Sequence, residues 1–300
     1  RPLRDAKFDK TGAVLAACGL ILLTAGLARD EAMPRFLALA LPVMGLSTLA
    51  VLVFVQLRSS HPMIDMRLFT RPGFSFGNLA AGFAGGGLIV PMVNIPLYSA
   101  TVLERDALEG GLLLLRMTLL IPIGAVAGGW LGARIGERVV TGLGALTAAL
   151  GLWLASGWSA DPSEARLARD LVIAGLGFGL LISPLTAAVM KAAGSANFGV
   201  AAGIATASRL IGMMLALSAL TPWALTRFNL NVADLPLPIG TGEESRQQLD
   251  LLSAAYTQAV ADATVGMFNE LFLIGAILCA ATVIPAVFLT KSPIAATSSG

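Results

Sequence analysis

The chain has 300 residues, of which 56% are hydrophobic and only 13% are charged, and its mean hydropathy is +0.80. Because soluble domains carry about 25% charged residues, this composition excludes a water-soluble domain and predicts an integral membrane protein. The net charge of +2 and the lack of basic runs interleaved with aromatic residues exclude nucleic-acid binding, and one histidine, His61, is too few for a histidine-based metal site or a Ser-His-Asp triad.

The first ten residues, RPLRDAKFDK, lack an apolar core and are not a signal peptide. Because the chain begins with Arg1 rather than Met, we expect upstream sequence to be missing. A membrane-crossing helix needs about 20 apolar residues, and continuous apolar runs favour helices over a barrel. The sequence offers eight candidate spans: 11–28, 36–57, 75–100, 110–130, 139–158, 171–190, 199–226 and 266–289.

The loops between these spans set the expected orientation. With the first residues in the cytoplasm, eleven Lys and Arg residues fall on the inner side, seven fall on the outer side, and all four lysines are inside. We therefore expect a multi-pass protein of the bacterial inner membrane with both ends of this chain cytoplasmic.

The first two spans form a helical hairpin, so that residues 1–57 are predicted to be a cytoplasmic loop followed by a two-helix central linker. Residues 58–74 form a cytoplasmic linker, which is either a short helix along the membrane surface or an ordinary polar connector. Residues 75–300 then form a six-helix unit with an outer extension at about 220–265. The fold class is all-α and integral to the membrane. Cys18 and Cys279 lie in apolar runs and read as small buried hydrophobes.

The third span contains Gly82, Gly85, Gly86 and Gly87 and two prolines, Pro91 and Pro96, which weaken a helix and predict a bend or break. Freed backbone groups at that depth must face protein or a wet cavity. Asn94 lies in this region, where it either contacts a polar group of a substrate or makes an interhelical hydrogen bond.

Small residues recur at four-residue steps in two later spans. Gly175, Gly179 and Ser183 share one face of the sixth span. The seventh has a similar face at Gly199, Gly203 and Ala207. Such faces allow close helix packing, either static or sliding.

Charged residues inside the spans are separated by their depth. Arg116 and Glu270 lie near the outer ends of their spans, where each either belongs to the substrate pathway and its gate or only reaches the interface with a long side chain. Arg209 lies ten residues from the inner end of its span, about 15 Å deep. A charge there is costly and usually faces a bundle interior or cavity, so we expect Arg209 to act in gating rather than in static structure. No acidic residue lies at its depth, and its partner must be lipid, water, substrate or a carboxylate on a missing segment.

The last span is preceded by a capping-box pattern at Thr241–Glu244 and a helical apolar face from Leu249 to Met267. These predict one helix from about 243 to 289, about 70 Å long. With the over-long seventh span it would project beyond the outer membrane surface as a paired extension. The alternative is strong tilt within the bilayer.

The stretch GGWLGARIGERVVTG, residues 128–142, resembles the inner-loop motif of the major facilitator superfamily, Gly-x-Leu-Ala-Asp-Arg-x-Gly-Arg-Arg. The matching residues are Gly129, Leu131, Arg134, Gly136 and Arg138, whereas Ala133 replaces the Asp and Glu137 replaces the first Arg of the closing pair. The segments HPMIDMRLFTRPGF, AGLGFGLLISPLTAAVM and GVAAGIATASRLIG are similar to the C-terminal part of its 14-helix exporters, the drug/proton antiporter type 2-like subfamily.

This resemblance implies a central two-helix hairpin followed by the C-terminal six-helix bundle of a secondary transporter. The N-terminal bundle would be missing from this chain, together with any acid that couples transport to protons. The similarity is strongest to lipid exporters, which implies a substrate such as triacylglyceride, a partner lipoprotein that carries lipid in the periplasm, contact with membrane lipids and no cofactor. Arg209 would then be a gating arginine that faces a carboxylate on the missing bundle.

Three other classes are weighed against a lipid exporter. A multidrug/proton antiporter of the same fold needs an exposed carboxylate for a cationic drug, and these spans offer only Glu270. A membrane-embedded enzyme needs a constellation of base and nucleophile that the sequence does not contain. A structural or assembly subunit would not lose a transport activity when Arg209 is replaced.

Overall fold

A computed structural model describes residues 9–28, 34–58, 66–233 and 246–289. These residues form helices and short connections. The helices are α1 (Lys10–Leu27), α2 (Arg35–Arg58), α3 (Pro72–Thr101), α4 (Ala107–Thr118), α5 (Leu120–Ile135), α6 (Glu137–Ala155), α7 (Glu164–Ala193), α8 (Phe198–Ala233), α9 (Arg246–Ala281) and α10 (Val283–Ala286). The all-helical prediction is confirmed for the described part of the chain. His61 and the capping box predicted at Thr241–Glu244 lie outside it.

Seven helical segments in the described ranges are long and apolar enough to cross a membrane, and α4 and α5 count together as one of them. They correspond to seven of the eight predicted spans. The remaining one, 11–28, forms α1, which is apolar but shorter than the others. The outer surface of the bundle carries large apolar side chains, such as Val126 at 75% and Trp153 at 58% exposure. A surface of this kind is suited to lipid rather than to water.

Of the predicted bend or break in the third span, the break is wrong, because the span is one continuous helix, α3, with Pro91 and Pro96 inside it. Its glycines serve close packing instead. A Cβ atom on Gly85 would overlap the backbone of α8 at Arg209, and one on Gly87 would overlap Cys279 of α9. Neighbouring helices packed this closely support a segment that propensity alone would weaken.

The core of the bundle is built around α3 and α7. Helix α7 packs against α5 and α6, while α3 packs against α8 and α9. The largest buried side chains meet where α3, α9 and the α6–α7 connection come together: Tyr98 lies 5.2 Å from Trp158 and 5.5 Å from Phe268, measured between ring centroids. The Tyr98 hydroxyl donates a hydrogen bond to the carbonyl oxygen of Ser159 at 2.5 Å.

The two small-residue faces behave differently. On α7, Gly175 and Gly179 lie directly against the backbone of Met117 and Ile121, so this face is in close contact with the neighbouring helices. On α8, a Cβ atom on Gly199 or Gly203 would meet no atom of the described residues within 4 Å. The α8 face is therefore open in the part of the protein seen here.

Helices α1 and α2 form the predicted hairpin, which Asp9 closes at one end. The Asp9 carboxylate accepts one hydrogen bond from the Gly12 backbone and another from Gln56 Nε2, both at 2.8 Å. The hairpin packs beside α8. Cys279 is buried as expected, whereas Cys18 is exposed on the hairpin surface, contrary to the expectation for both cysteines.

The described part of the 58–74 linker is a short 3-10 helix, Met66–Thr70. Leu68 is only 2% exposed, and the ring of Phe69 packs edge-on against Phe74 at 5.1 Å between centroids. These residues therefore fold onto the start of α3 rather than lie apart from the bundle.

The predicted single helix from about 243 to 289 is shorter than expected in the described residues: α9 runs unbroken for 36 residues, about 54 Å, and Thr282 separates it from the short α10. Val265 is the first buried residue along α9 among those whose side chains are described. The 19 residues from Arg246 to Thr264 correspond to a length of about 28 Å. Helix α8, by contrast, is longer than the predicted span 199–226, because it continues to Ala233.

Candidate functional site

The bundle has two ends, which we name by a charged residue at each. The Lys191 end contains the start of α3, the turn between α5 and α6, and the end of α7. The Glu164 end contains the end of α3, the start of α4 and the start of α7. The residues proposed from the sequence are distributed between these ends and the seam where α3, α8 and α9 meet.

Arg209 lies on α8, 11 residues after Phe198, which places it about 16 Å from the start of the helix. The side chain is half-buried, and its Cγ atom lies next to Gly85 of α3. Gly85 can be only glycine here, because a Cβ atom would overlap the Arg209 carbonyl oxygen. Within the described residues, no carboxylate or hydrogen-bond acceptor pairs with the Arg209 guanidinium.

The side chain of Arg116 forms an ion pair with Glu164 at the Glu164 end of the bundle. Its Nη1 atom donates to Glu164 Oε2 at 2.8 Å, and Arg105 binds the other oxygen of the same carboxylate. One acidic residue at the start of α7 thus ties down both α4 and the α3–α4 connection. All three side chains are partly exposed.

Glu270 of α9 is also paired. Its carboxylate accepts from Nε and Nη2 of Arg227 on α8, each at 3.0 Å, in a bidentate arrangement. This pair joins α8 and α9 close to the point where α9 leaves the core. Glu270 is therefore not a free carboxylate for a cationic ligand.

Asn94 lies on the seam, and within the described residues it does not make the interhelical hydrogen bond that was one of its two predicted roles. Its Nδ2 atom donates to the Val90 carbonyl oxygen of its own helix at 2.8 Å. The remaining amide surface lines a groove of about 260 Å³ between α3, α8 and α9.

A larger groove of about 600 Å³ continues along the same three helices. Leu220 lines both grooves, so the two are neighbours along the seam. The side chains that line them are apolar or uncharged, and Asn78, Ser208, Asn94 and Thr221 are among the few polar ones. This arrangement is typical of a site for an apolar, uncharged molecule.

The inner-loop motif lies at the Lys191 end. Gly136 separates α5 from α6 with a backbone φ of +96°, a conformation that only glycine adopts readily. Gly129 approaches the hydroxyl of Ser183 on α7, and the Arg134 guanidinium lies 3.8 Å from the centre of the Trp130 ring. Arg138 is half-buried on the first turn of α6.

Sequence reasoning missed how Glu137, the departure from the family pattern, is used. Glu137 is only 4% exposed, and its carboxylate binds Lys191 at the end of α7. Beside it, Arg71 Nη1 donates to the carbonyl oxygens of Ala192 and Ala193, each at 2.9 Å. The acid therefore forms a cross-helix ion pair, which its position within a basic motif did not reveal.

Asp170 was missed as well, because the predicted span began one residue later. It is fully buried and accepts hydrogen bonds from Trp158 Nε1 at 3.0 Å and from Arg169 Nε at 2.8 Å. Its role is to hold the α6–α7 connection. No group of three or more potential metal ligands occurs among the described residues.

Proteins with related sequences are named as transporters. The chain is 36% identical to a triacylglyceride transporter of Mycobacteroides abscessus over 84% of its own length and 52% of the relative's. It is 34% identical to one of Mycolicibacterium smegmatis, over 91% and 51% of the two lengths, and 32% identical to one of Mycolicibacterium hassiacum, over 91% and 54%. The chain thus spans about half the length of the curated relatives it matches. No family model matches it.

The transporter names of these relatives agree with the expectation that the chain is not an enzyme. Seven long apolar helices in the described ranges agree with a multi-pass membrane protein.

Proposed function

We propose that this chain is part of a secondary transporter of the major facilitator superfamily that exports a hydrophobic or amphiphilic lipid by alternating access. Helices α3 to α9 would form its C-terminal six-helix bundle, and α1 and α2 the central hairpin. The inner-loop motif at the Lys191 end and the transporter names of the relatives support this assignment.

The observation that carries the proposal is the uncharged lining of the α3–α8–α9 seam. Both grooves are lined without a single Asp, Glu, Lys or Arg side chain. An uncharged lipid loses little solvation when it enters such a space, whereas a cation would need a compensating carboxylate. Since Glu270 is paired with Arg227, the described residues favour a neutral lipid such as triacylglyceride over the cationic substrate of a multidrug/proton antiporter.

Arg209 supplies the moving charge in this proposal. A half-buried guanidinium without a partner among the described residues is expected to face a carboxylate in the other half of the complete transporter. Opening and closing of that contact would accompany the change of access, with proton coupling through acids of the N-terminal bundle.

The protein would reside in the bacterial inner membrane, with the Lys191 end on the cytoplasmic side. The Glu164 end and the long α9 would then face the periplasm. A periplasmic lipid-carrier lipoprotein is the partner to which an exporter of this orientation would pass its substrate.

Deletion of the gene and complementation with variants test the proposal. We expect deletion to raise cell-associated triacylglyceride without changing the efflux of a cationic dye. Arg209→Ala should fail to restore export at unchanged protein level, whereas Arg58→Ala, which removes an exposed arginine from α2, should restore it.

Altered dye efflux with normal lipid content would favour the multidrug antiporter. Full restoration by Arg209→Ala would remove the gating role and reopen the possibility of an assembly subunit.

A further inference from the structure

The polar side chains of the seam occur at two levels, one near each end of the bundle. Asn78 of α3 and Ser208 of α8 line the larger groove at the level closer to the Lys191 end. Asn94 of α3 and Thr221 of α8 line the smaller groove at the other level. The stretch between the two levels is lined by aliphatic, phenylalanine, glycine and alanine side chains.

On a helix centred in the bilayer, these levels would lie just inside the boundaries of the hydrocarbon layer. Asn78 lies six residues after Pro72 and Asn94 lies seven residues before Thr101, which is about 9 and 10 Å from the two ends of α3. A helix of 30 residues is about 45 Å long, close to the full bilayer, of which about 30 Å is hydrocarbon. The two asparagines are thus about 24 Å apart along α3, which for a centred helix is about 3 Å inside each boundary of the hydrocarbon layer.

Each level keeps hydrogen-bonding capacity suited to an ester. Asn78 donates to the Phe74 carbonyl oxygen at 2.8 Å and accepts from the Ser208 hydroxyl at 3.1 Å. The second N–H of its amide remains, as does the second N–H of Asn94. Neutral N–H donors can bind a carbonyl oxygen without requiring charge on the ligand.

Small residues line the path between the levels, so that few side chains project into the groove where α3 and α8 are in direct contact. Gly82, Gly86 and Gly212 lie where α3 and α8 cross, and Ala216 follows one turn later. Leu220 is the residue that both grooves share. A flexible acyl chain, which is narrow and apolar, is the ligand class that such a path accommodates.

We propose that the α3–α8–α9 seam is an acyl-chain track, in which Asn78 and Asn94 bind the ester carbonyl of a neutral lipid at the two leaflet boundaries. This inference rests on the proposed lipid-transport function and names the path and the substrate-binding residues within this chain. The lipid would move its ester group from the Asn78 level to the Asn94 level while its chain stays in the apolar stretch.

Photo-crosslinking of the complete protein with a triacylglycerol that carries a diazirine on one acyl chain tests the track. Labelling should fall on seam residues such as Phe83, Leu215 and Ile274, and excess triolein should reduce it. Labelling confined to outward-facing residues such as Val126 and Trp153, or labelling that triolein does not reduce, would overturn the proposal.

Variants of the asparagines test ester recognition. Asn78→Leu and Asn94→Leu keep a branched side chain of similar shape and remove the N–H donor. Each substitution should lower triacylglycerol transport about five- to tenfold. Labelling by an ester-free hydrocarbon diazirine should be unchanged in both. If transport by both variants equals that of the wild type, the two asparagines do not bind the ester.

Ala216→Trp should block the track, with Val126→Trp on the outer surface as the matched control. If the wild type transports triacylglycerol and Ala216→Trp does so equally well, the track is wrong while the proposed function stands. If the wild type transports none, the proposed function fails and the track fails with it.

Discussion

At the scale of single residues, four charged side chains within or at the ends of the helices have separate roles. Glu164 and Glu270 hold arginines at helix surfaces, and Asp170 is buried against Trp158. Arg209 alone among these lacks a counter-charge within the described residues. The depth of Arg209 could be predicted by counting along its span. Most partners of the others could not, because they lie 12 to 59 residues away and their contacts depend on how helices meet in space.

Asp170→Ala tests the role of the buried carboxylate. The substitution leaves the Trp158 indole N–H buried without its acceptor, which should lower the free energy of unfolding by about 1–3 kcal/mol. Asp170→Asn keeps an acceptor oxygen, so its free energy of unfolding should fall by less than that of Asp170→Ala. Thermal unfolding of the complete purified protein measures both, with Asp262→Ala on the exposed part of α9 as control. Equal stability of Asp170→Ala and Asp262→Ala would show that the carboxylate holds nothing.

At the scale of helices, composition and run length predicted the helices well, because a membrane requires long apolar segments whose backbone bonds are satisfied internally. The continuity of α3 was not predicted. Its glycines and prolines signal weakness when read along the chain, whereas Gly85 and Gly87 are in fact contact points for α8 and α9. Whether a glycine breaks or packs a helix is decided by neighbours that are distant in sequence.

Gly212 and Gly203 provide a matched pair on α8. A Cβ atom on Gly212 would overlap the backbone of Gly82 on α3, whereas one on Gly203 would meet no described atom within 4 Å. Gly212→Ala should therefore destabilise the bundle by about 1–3 kcal/mol through forced separation of α3 and α8. Gly203→Ala should be neutral or stabilising by up to about 1 kcal/mol. Thermal unfolding with both variants in the complete protein makes the comparison, and the reverse order would refute the packing of α3 on α8.

At the scale of the whole molecule, the proposal places the Lys191 end in the cytoplasm and the exposed part of α9 in the periplasm. Single-cysteine variants in a background without Cys18 and Cys279 test this placement. Ala254→Cys on α9 should react with a membrane-impermeant maleimide in intact cells. Ser195→Cys at the Lys191 end should react only after the membrane is permeabilised. The opposite labelling pattern would mean that the protein has the inverse orientation in the membrane. If neither cysteine reacts with the maleimide in intact cells, a tilted α9 within the bilayer would be favoured.

The claim on which the molecule-scale account depends is that an uncharged seam moves an uncharged lipid. Transport by the complete protein reconstituted in proteoliposomes measures it directly, with a fluorescent triacylglycerol and a cationic dye offered separately to the same vesicles. We predict movement of the triacylglycerol, abolished by Arg209→Ala, and no movement of the dye above protein-free vesicles. Transport of the dye without transport of the triacylglycerol would contradict the account.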